Sequence, residues 1–231
     1  MDTILWEDES DNYTNRAIEA LGEKSLFSHK NDLMINVFKE VISKQFDKID
    51  TVLDIGCAYG TSINDMSQYF QETTFIGVDP GSQTVELASK KFEDRGKISF
   101  KVGYMHNLPI EDTSVDVVVL NMVLQWVPRS KIIASLAEID RVLKPGGCIY
   151  IQDFDPYRPL YSVSHHNESI YIFKDDYPRM ITSYPWFSEI HRRTFMLKEG
   201  EDQRRSVWVI QKNKIEDVYS LRKPVTEVKK G

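Results

Sequence analysis

The sequence predicts an α/β fold, a doubly wound and mostly parallel seven-stranded sheet that ends in an antiparallel carboxyl-terminal hairpin. Three observations predict it. Strand-like and helix-like segments alternate from about residue 32 to residue 153, and the strand-like ones are apolar nearly throughout, as in a parallel sheet covered on both faces. Two further strand-like runs, FSEIHRRTFML (187–197) and RRSVWVIQK (204–212), flank the turn-like KEGEDQ and read as a hairpin.

The elements follow in order. Residues 1–31 are polar and mixed, with scattered Leu5, Trp6, Ala17, Ile18, Leu21, Leu26 and Phe27, and form either a short helical flap or a loose arm. From Asp32, the residues Leu33, Met34, Val37, Phe38, Val41, Ile42 and Phe46 recur at helical spacing and describe an amphipathic helix on a flat surface. TVLDIG, a helix carrying Ile63, Met66 and Phe70, TTFIGVD, a helix through Val85, Ala88 and Phe92, ISFKVG and VDVVVLN come next. Then KIIASLAEIDRVLK lines Ile132, Leu136, Ile139 and Leu143 on one face, with its end marked by Pro145, Gly146 and Gly147, before the strand CIYIQDF. Right-handed crossovers wind these units into layers. After Asp153 the period is lost: 155–188 is rich in aromatic residues and proline and is expected to be an ordered cap over an acceptor site. The main domain is thus 32–213, and 214–231 is a charged tail.

Composition removes several function classes. With 29 basic and 35 acidic residues the net charge is −6, which offers no general attraction to a phosphate backbone, so no nucleic-acid partner is expected. Cys57 and Cys148 lie in apolar stretches without metal or redox spacing and read as small buried residues of a reducing compartment. No apolar run approaches the roughly 18 residues of a membrane span, and the amino terminus is acidic, so a cytoplasmic protein with no membrane contact, monomeric or a homodimer, is expected. No tight cluster of Asp and His suggests a metal site.

The most informative segment is Val52-Leu53-Asp54-Ile55-Gly56-Cys57-Ala58-Tyr59-Gly60. In an open parallel sheet, ligands bind beyond the carboxyl ends of strands, and Gly56, Ala58 and Gly60 let the backbone come close. The spacing G-x-A-x-G is one residue shorter than the dinucleotide fingerprint G-x-G-x-x-G, which favours an amino-acid moiety over a pyrophosphate and makes an NAD(P)-dependent oxidoreductase the lesser alternative. At the end of the next strand, Asp79 is placed either to accept both hydroxyls of a ribose or to cap the helix that starts near Ser82.

These motifs, with Val102-Gly103-Tyr104-Met105-His106-Asn107-Leu108-Pro109, Asp116 to Val127 and Leu143-Lys144-Pro145-Gly146-Gly147, closely resemble the successive motifs of class I S-adenosylmethionine (SAM)-dependent methyltransferases, within the small-molecule branch related to ubiquinone- and biotin-pathway enzymes. The resemblance covers about residues 33 to 153. It implies a Rossmann-like methyltransferase fold, SAM as cofactor and S-adenosylhomocysteine (SAH) as product. It implies that Asp54 orients the methionine amino group, that Gly56, Cys57, Ala58 and Gly60 contact methionine and ribose, and that Asp79 binds the ribose with Pro80 near the adenine. Met105 would offer its N–H to the adenine, with Asn121 and Met122 near the sulfonium. Two departures stand out: Ala58 occupies the usual place of a middle glycine, and Tyr104 the place of a common acidic adenine acceptor.

Gln125 and Trp126 close the fourth strand, where they either face the transferred methyl or, for Trp126, pack into the core. An acceptor hydroxyl needs a general base, for which His165 and His166 are the candidates, with a hydrogen-bonded loop pair as the alternative. Asp153, Tyr157, Tyr161 and Trp186 either line the acceptor pocket or serve ordinary packing. The expected acceptor is a small molecule methylated on O or N, with a sugar or nucleotide-linked sugar favoured on the histidines and tyrosines of the cap. The alternatives are a small carboxylic acid and a non-catalytic SAM-binding partner protein.

Overall fold

A computed structural model of the protein describes residues 4–21, 32–164, 167–168, 170–196 and 204–214. Strands β1 (Thr51–Ile55), β2 (Thr74–Asp79), β3 (Ile98–Val102), β4 (Val115–Asn121), β5 (Leu143–Phe154), β8 (Phe187–Met196) and β9 (Arg204–Lys212) form one sheet in the order β3-β2-β1-β4-β5-β9-β8. β1 to β5 run parallel, β9 runs antiparallel to both of its neighbours, and the expected hairpin is β8–β9. A separate ribbon pairs β6 (Leu160–Val163) with β7 (Tyr171–Lys174). The helices are α1 (Ile4–Leu21), α2 (Asp32–Glu40), α3 (Thr61–Tyr69), α4 (Ser82–Lys91), α5 (Ile132–Val142) and α6 (Tyr177–Thr182). None among the described residues is long and apolar enough to cross a membrane.

Alternation along the strands sorts the core into two layers. Leu53, Ile55, Val118, Leu120, Ile149, Ile151, Trp208 and Ile210 face Leu136 and Ile139 of α5. Val52, Val117, Val119, Tyr150, Val207 and Val209 face Met34 and Phe38 of α2 and Ile63 and Met66 of α3. Cys57 and Cys148 are both buried free thiols of this second layer.

Two local expectations gain detail. The helix α5 ends just before Pro145, Gly146 and Gly147, as expected: it gives way at Leu143 to extended backbone, and the Pro-Gly-Gly segment is an irregularity inside β5, with pairing that jumps from Val115↔Leu143 to Val117↔Cys148 and Gly146 at φ +84°. The segment 155–188 is more regular than its composition suggests, because it contains the β6–β7 ribbon and α6, whose first turn is capped by Asp176 through Arg179 N.

The sheet order reverses between β1 and β4, so the carboxyl ends of these two strands splay apart and open a crevice there. The polar amino-terminal segment settles as a helix over that crevice. α4 begins after Gly81, which has no side chain to cap it, and Asp11 of α1 supplies the cap: its carboxylate accepts Thr84 N at 2.9 Å and Gln83 N at 3.3 Å. Thr14 and Thr84 hydroxyls pair at 2.8 Å beneath it.

Candidate functional site

The loop between β1 and α3 is built from left-handed residues. Gly56 (φ +72°), Ala58 (φ +46°) and Gly60 (φ +84°) turn the chain so tightly that the N–H groups of Gly56 and Cys57 both reach Val78 O, at 2.8 and 3.2 Å. A Cβ on Gly56 would strike the Val123 side chain. Ala58 holds its αL conformation because its N–H is tied to Asp79 Oδ2 at 2.9 Å. Gly60 does not line the crevice; it starts α3 and leaves room for Phe100, 2.7 Å from where its Cβ would be.

Asp79 is buried at the end of β2, and Gly81 N and Ser10 Oγ both donate to its Oδ1. Burial raises its pKa, and the hydrogen bonds from Ser10, Gly81 and Ala58 oppose that rise. With Asp11 holding the N–H groups of Gln83 and Thr84, the capping role weighed for Asp79 falls to Asp11. Asp54, at the end of β1, is 2 % exposed, and its Oδ2 accepts no hydrogen bond among the described residues. Burial, and next the charge of Asp79, push its pKa up to about 8.

Across the crevice, β4 ends in Asn121, Met122 (φ +58°) and a 3-10 turn, Leu124–Trp126. Asn121 donates Nδ2 to Ser62 Oγ and Gln125 donates Nε2 to Met122 O, so both amide oxygens are left without partners among the described residues. Asp153 is buried under this turn, with its carboxylate taken by Leu124 N and Phe154 N; burial lifts its pKa to about 7. It shapes the turn and does not line the crevice.

The resulting cleft has a volume of about 440 Å³. Asp54, Gly56, Cys57, Ala58, Asp79, Pro80, Asn121, Met122, Gln125 and Trp126 line it as a group. Glu9, Ser10 and Tyr13 of α1 cover it on one side, and Phe154, Ser164, Ile172 and Arg205 close the other. An apolar slot of about 80 Å³, which includes Val78, Tyr104, Met105, Val127 and Lys131, shares Gly56, Pro80, Val123 and Trp126 with the cleft. Arg141 holds the loop that forms the slot, through Leu108 O, Ile110 O and the carboxylates of Glu138 and Asp112.

Tyr157, Tyr161 and Trp186 are not brought to the cleft. Tyr157 is 72 % and Tyr161 68 % exposed, the first beneath the Arg204 guanidinium and the second against Tyr171, while Trp186 packs on the α5-side core beside Tyr184. The reason is the period of the ribbon: Ile172 of β7 turns inward, and Tyr161 and Tyr171 turn to solvent. His165 and His166 lie outside the described residues. The residues that sequence reasoning missed, chiefly Ser10, Tyr13, Ile172 and Arg205, come from segments without a ligand motif; the period-2 run of β7 and an arginine opening an apolar strand were the only signals.

Residues 52–147 match the model of the methyltransferase domain family. That segment is similar to methyltransferase domains, and the chain shares the fold of SAM-dependent methyltransferases of known structure. It is 32 % identical over 120 residues to an uncharacterized methyltransferase of Schizosaccharomyces pombe, a match covering 48 % of this chain and 42 % of that protein. It is 30 % identical over 113 residues to the malonyl-[acyl-carrier protein] O-methyltransferase of Halalkalibacterium halodurans, covering 48 % and 41 %. The match to the demethylmenaquinone methyltransferase of Staphylococcus saprophyticus is 29 % over 174 residues, 73 % of this chain and 71 % of that one. The chain thus spans less than half the length of the first two of these curated relatives. Among solved structures, a SAM-dependent methyltransferase from Methanosarcina mazei superposes with a TM-score of 0.64 at 20 % identity, covering 76 % of this chain and 98 % of that one. An N-methyltransferase from Bradyrhizobium japonicum in complex with SAH gives 0.63 at 12 %, covering 87 % and 98 %. These similarities carry the fold of the methyltransferase domain and place its matched segment over the glycine turn, Asp79 and the end of β4.

Proposed function

We propose that the protein transfers the methyl group of SAM to a small-molecule acceptor bound beside the ends of β4 and β5. One observation carries the reading: three oxygens without hydrogen-bond partners among the described residues, Asp54 Oδ2, Asn121 Oδ1 and Gln125 Oε1, belong to side chains that line one cleft beside the left-handed turn. Buried acceptors without donors are costly, and a ligand that brings an ammonium and a sulfonium repays that cost. The residues therefore fit the cofactor. SAM supplies an activated methyl carbon bonded to a positively charged sulfur.

The chain's own groups do the rest. Asp54 holds the amino group, and Asp79 accepts the ribose hydroxyls once Ser10 Oγ has left its Oδ1. Pro80, Tyr104 and Met105 enclose the base in the apolar slot, and α1 with Tyr13 excludes water. Because in-line transfer depends on alignment more than on acid–base chemistry, the protein's task is to aim the acceptor past Gln125 and Trp126. His165 and His166 stay the candidates for a base; Ser164, their immediate neighbour, lines the cleft. Oxygen is the favoured acceptor atom, supported by the relative named as an O-methyltransferase. A sugar acceptor loses its support with Tyr157 and Tyr161 facing solvent.

Calorimetry with SAH and with NADH tests the cofactor reading. Heat with SAH alone is expected; heat with NADH alone would overturn it. Replacing His165 and His166 together by alanine tests the base: unchanged turnover at neutral pH removes them from the reaction.

A further inference from the structure

Arg205 stands at the start of β9, paired in register with Phe154 of β5, and lines the cleft on the side away from Asp54 and Asp79. Its guanidinium lies over the Phe154 ring, 4.8 Å from the centroid, and its Nε is buried without a hydrogen-bond partner among the described residues. The neighbouring Arg204 and Arg192 each place Nη2 on Asp155, at 2.8 and 2.7 Å, so each has an ion-pair partner, although Arg204 Nε is likewise buried without a hydrogen-bond partner among the described residues. The acid closest to Arg205 in charge terms, Asp153, has its two oxygens committed to Leu124 N and Phe154 N. A guanidinium is planar and permanently charged and presents a fork of donors, so leaving its Nε buried without an acceptor is expensive unless a ligand completes it.

Resting on the methyl-transfer reading above, we propose that the acceptor carries a carboxylate and that Arg205 binds it, with Phe154 and Ile172 covering the apolar body of the molecule. A monoanion is favoured over a phosphate because Arg205 is the one cation among the described residues that line the cleft, while Glu9, Asp54 and Asp79 share the lining. One guanidinium balances one negative charge and leaves a dianion half-neutralised beside carboxylates.

The test uses the full chain saturated with SAH. Benzoate, phenylacetate and butanoate are titrated calorimetrically, each beside its amide, into wild type, Arg205→Met and Arg205→Lys. The acids are expected to bind at least about tenfold more tightly than the amides, with that preference lost in Arg205→Met and partly kept in Arg205→Lys. SAH affinity and melting temperature should match wild type in both variants, which certifies the fold. Equal binding of acids and amides, an unchanged preference in Arg205→Met, or no acid binding to SAH-loaded protein would each overturn the proposal and leave the cofactor assignment standing. Absence of SAH binding in the wild type would remove the cofactor reading and this one with it.

Discussion

The pKa of Asp54 makes the affinity for SAH depend on pH in a calculable way. Without ligand, burial and the charge of Asp79 hold this carboxyl at about 8, so it is mostly protonated at neutral pH. An ammonium is held by the ionised form, and binding must therefore release the proton. With a pKa of about 8, the ionised fraction is roughly one-hundredth at pH 6 and one-eleventh at pH 7, so SAH should bind about ninefold more tightly at pH 7, worth about 1.3 kcal/mol. About 0.9 of a proton should be released per SAH at pH 7, measurable by calorimetry in buffers of different ionisation enthalpy. The stability of the free protein moves oppositely. The folded pKa lies above the unfolded value of about 3.9, so the native state binds more protons between about pH 4 and pH 8, and this group's contribution to stability declines as pH rises through that window. Protection by SAH should accordingly grow with pH. In Asp54→Asn the side chain is neutral throughout, and the pH slope between 6 and 7 should flatten. A wild-type affinity that does not change from pH 6 to 7, or an Asp54→Asn variant with the wild-type slope, would refute the placement of the ammonium at Asp54.

Ser10→Ala frees Asp79 Oδ1 of a competitor for the ribose hydroxyls and should tighten SAH binding several-fold by calorimetry; weaker binding would show that Ser10 stays and contributes to the closed site. Gly56→Ala forces a Cβ into αL backbone and onto Val123, which should lower the melting temperature and weaken SAH at least about tenfold; normal binding would mean that the turn does not approach the cofactor. Arg141→Leu removes the carbonyl bonds that hold Leu108 and Ile110, and should cost about 2 kcal/mol in urea unfolding while loosening the apolar slot, read as a several-fold rise in the Kd for SAH.

The parallel half of the sheet was legible because each strand is buried on both faces and written as an apolar run, so β1, β2, β4 and β5 declare themselves without regard to partners. The glycine turn and Asp79 were legible for a related reason: the constraint is local, a positive φ or an acid at a strand end, and local constraints leave marks in consecutive residues. α1 was legible only as one of two alternatives, a short helical flap, and its contacts with the site were not legible at all. Asp11, Thr14 and Ser10 reach Gln83, Thr84 and Asp79, about 70 positions along the chain, by polar contacts that follow no hydrophobic period. The tyrosines of 155–188 misled for the opposite reason, since aromatic content says nothing about the face a side chain takes until the register of β6 and β7 is known.

The cleft sorts its charges along the sheet. Asp54 and Asp79 stand at the ends of β1 and β2, and Arg205 at the start of β9, with β4 and β5 between. Neighbouring strands lie about 4.8 Å apart, so the step from β1 to β9 is on the order of 14 Å, and a cofactor and an acceptor held as proposed at the two sides would meet over the ends of β4 and β5. The groups found there, Asn121, Gln125 and Phe154, are neutral. For the proposed methyl transfer that neutrality would have a kinetic meaning: a sulfonium loses its charge as the methyl departs, so a carboxylate at the midpoint would stabilise the ground state more than the transition state and raise the barrier. On that proposal, neutral amides such as those of Asn121 and Gln125 would hold the charged sulfur with a weaker field, and less would be lost as that charge disappears. The strong charges belong at the two ends, where they fix position and do not change during the reaction.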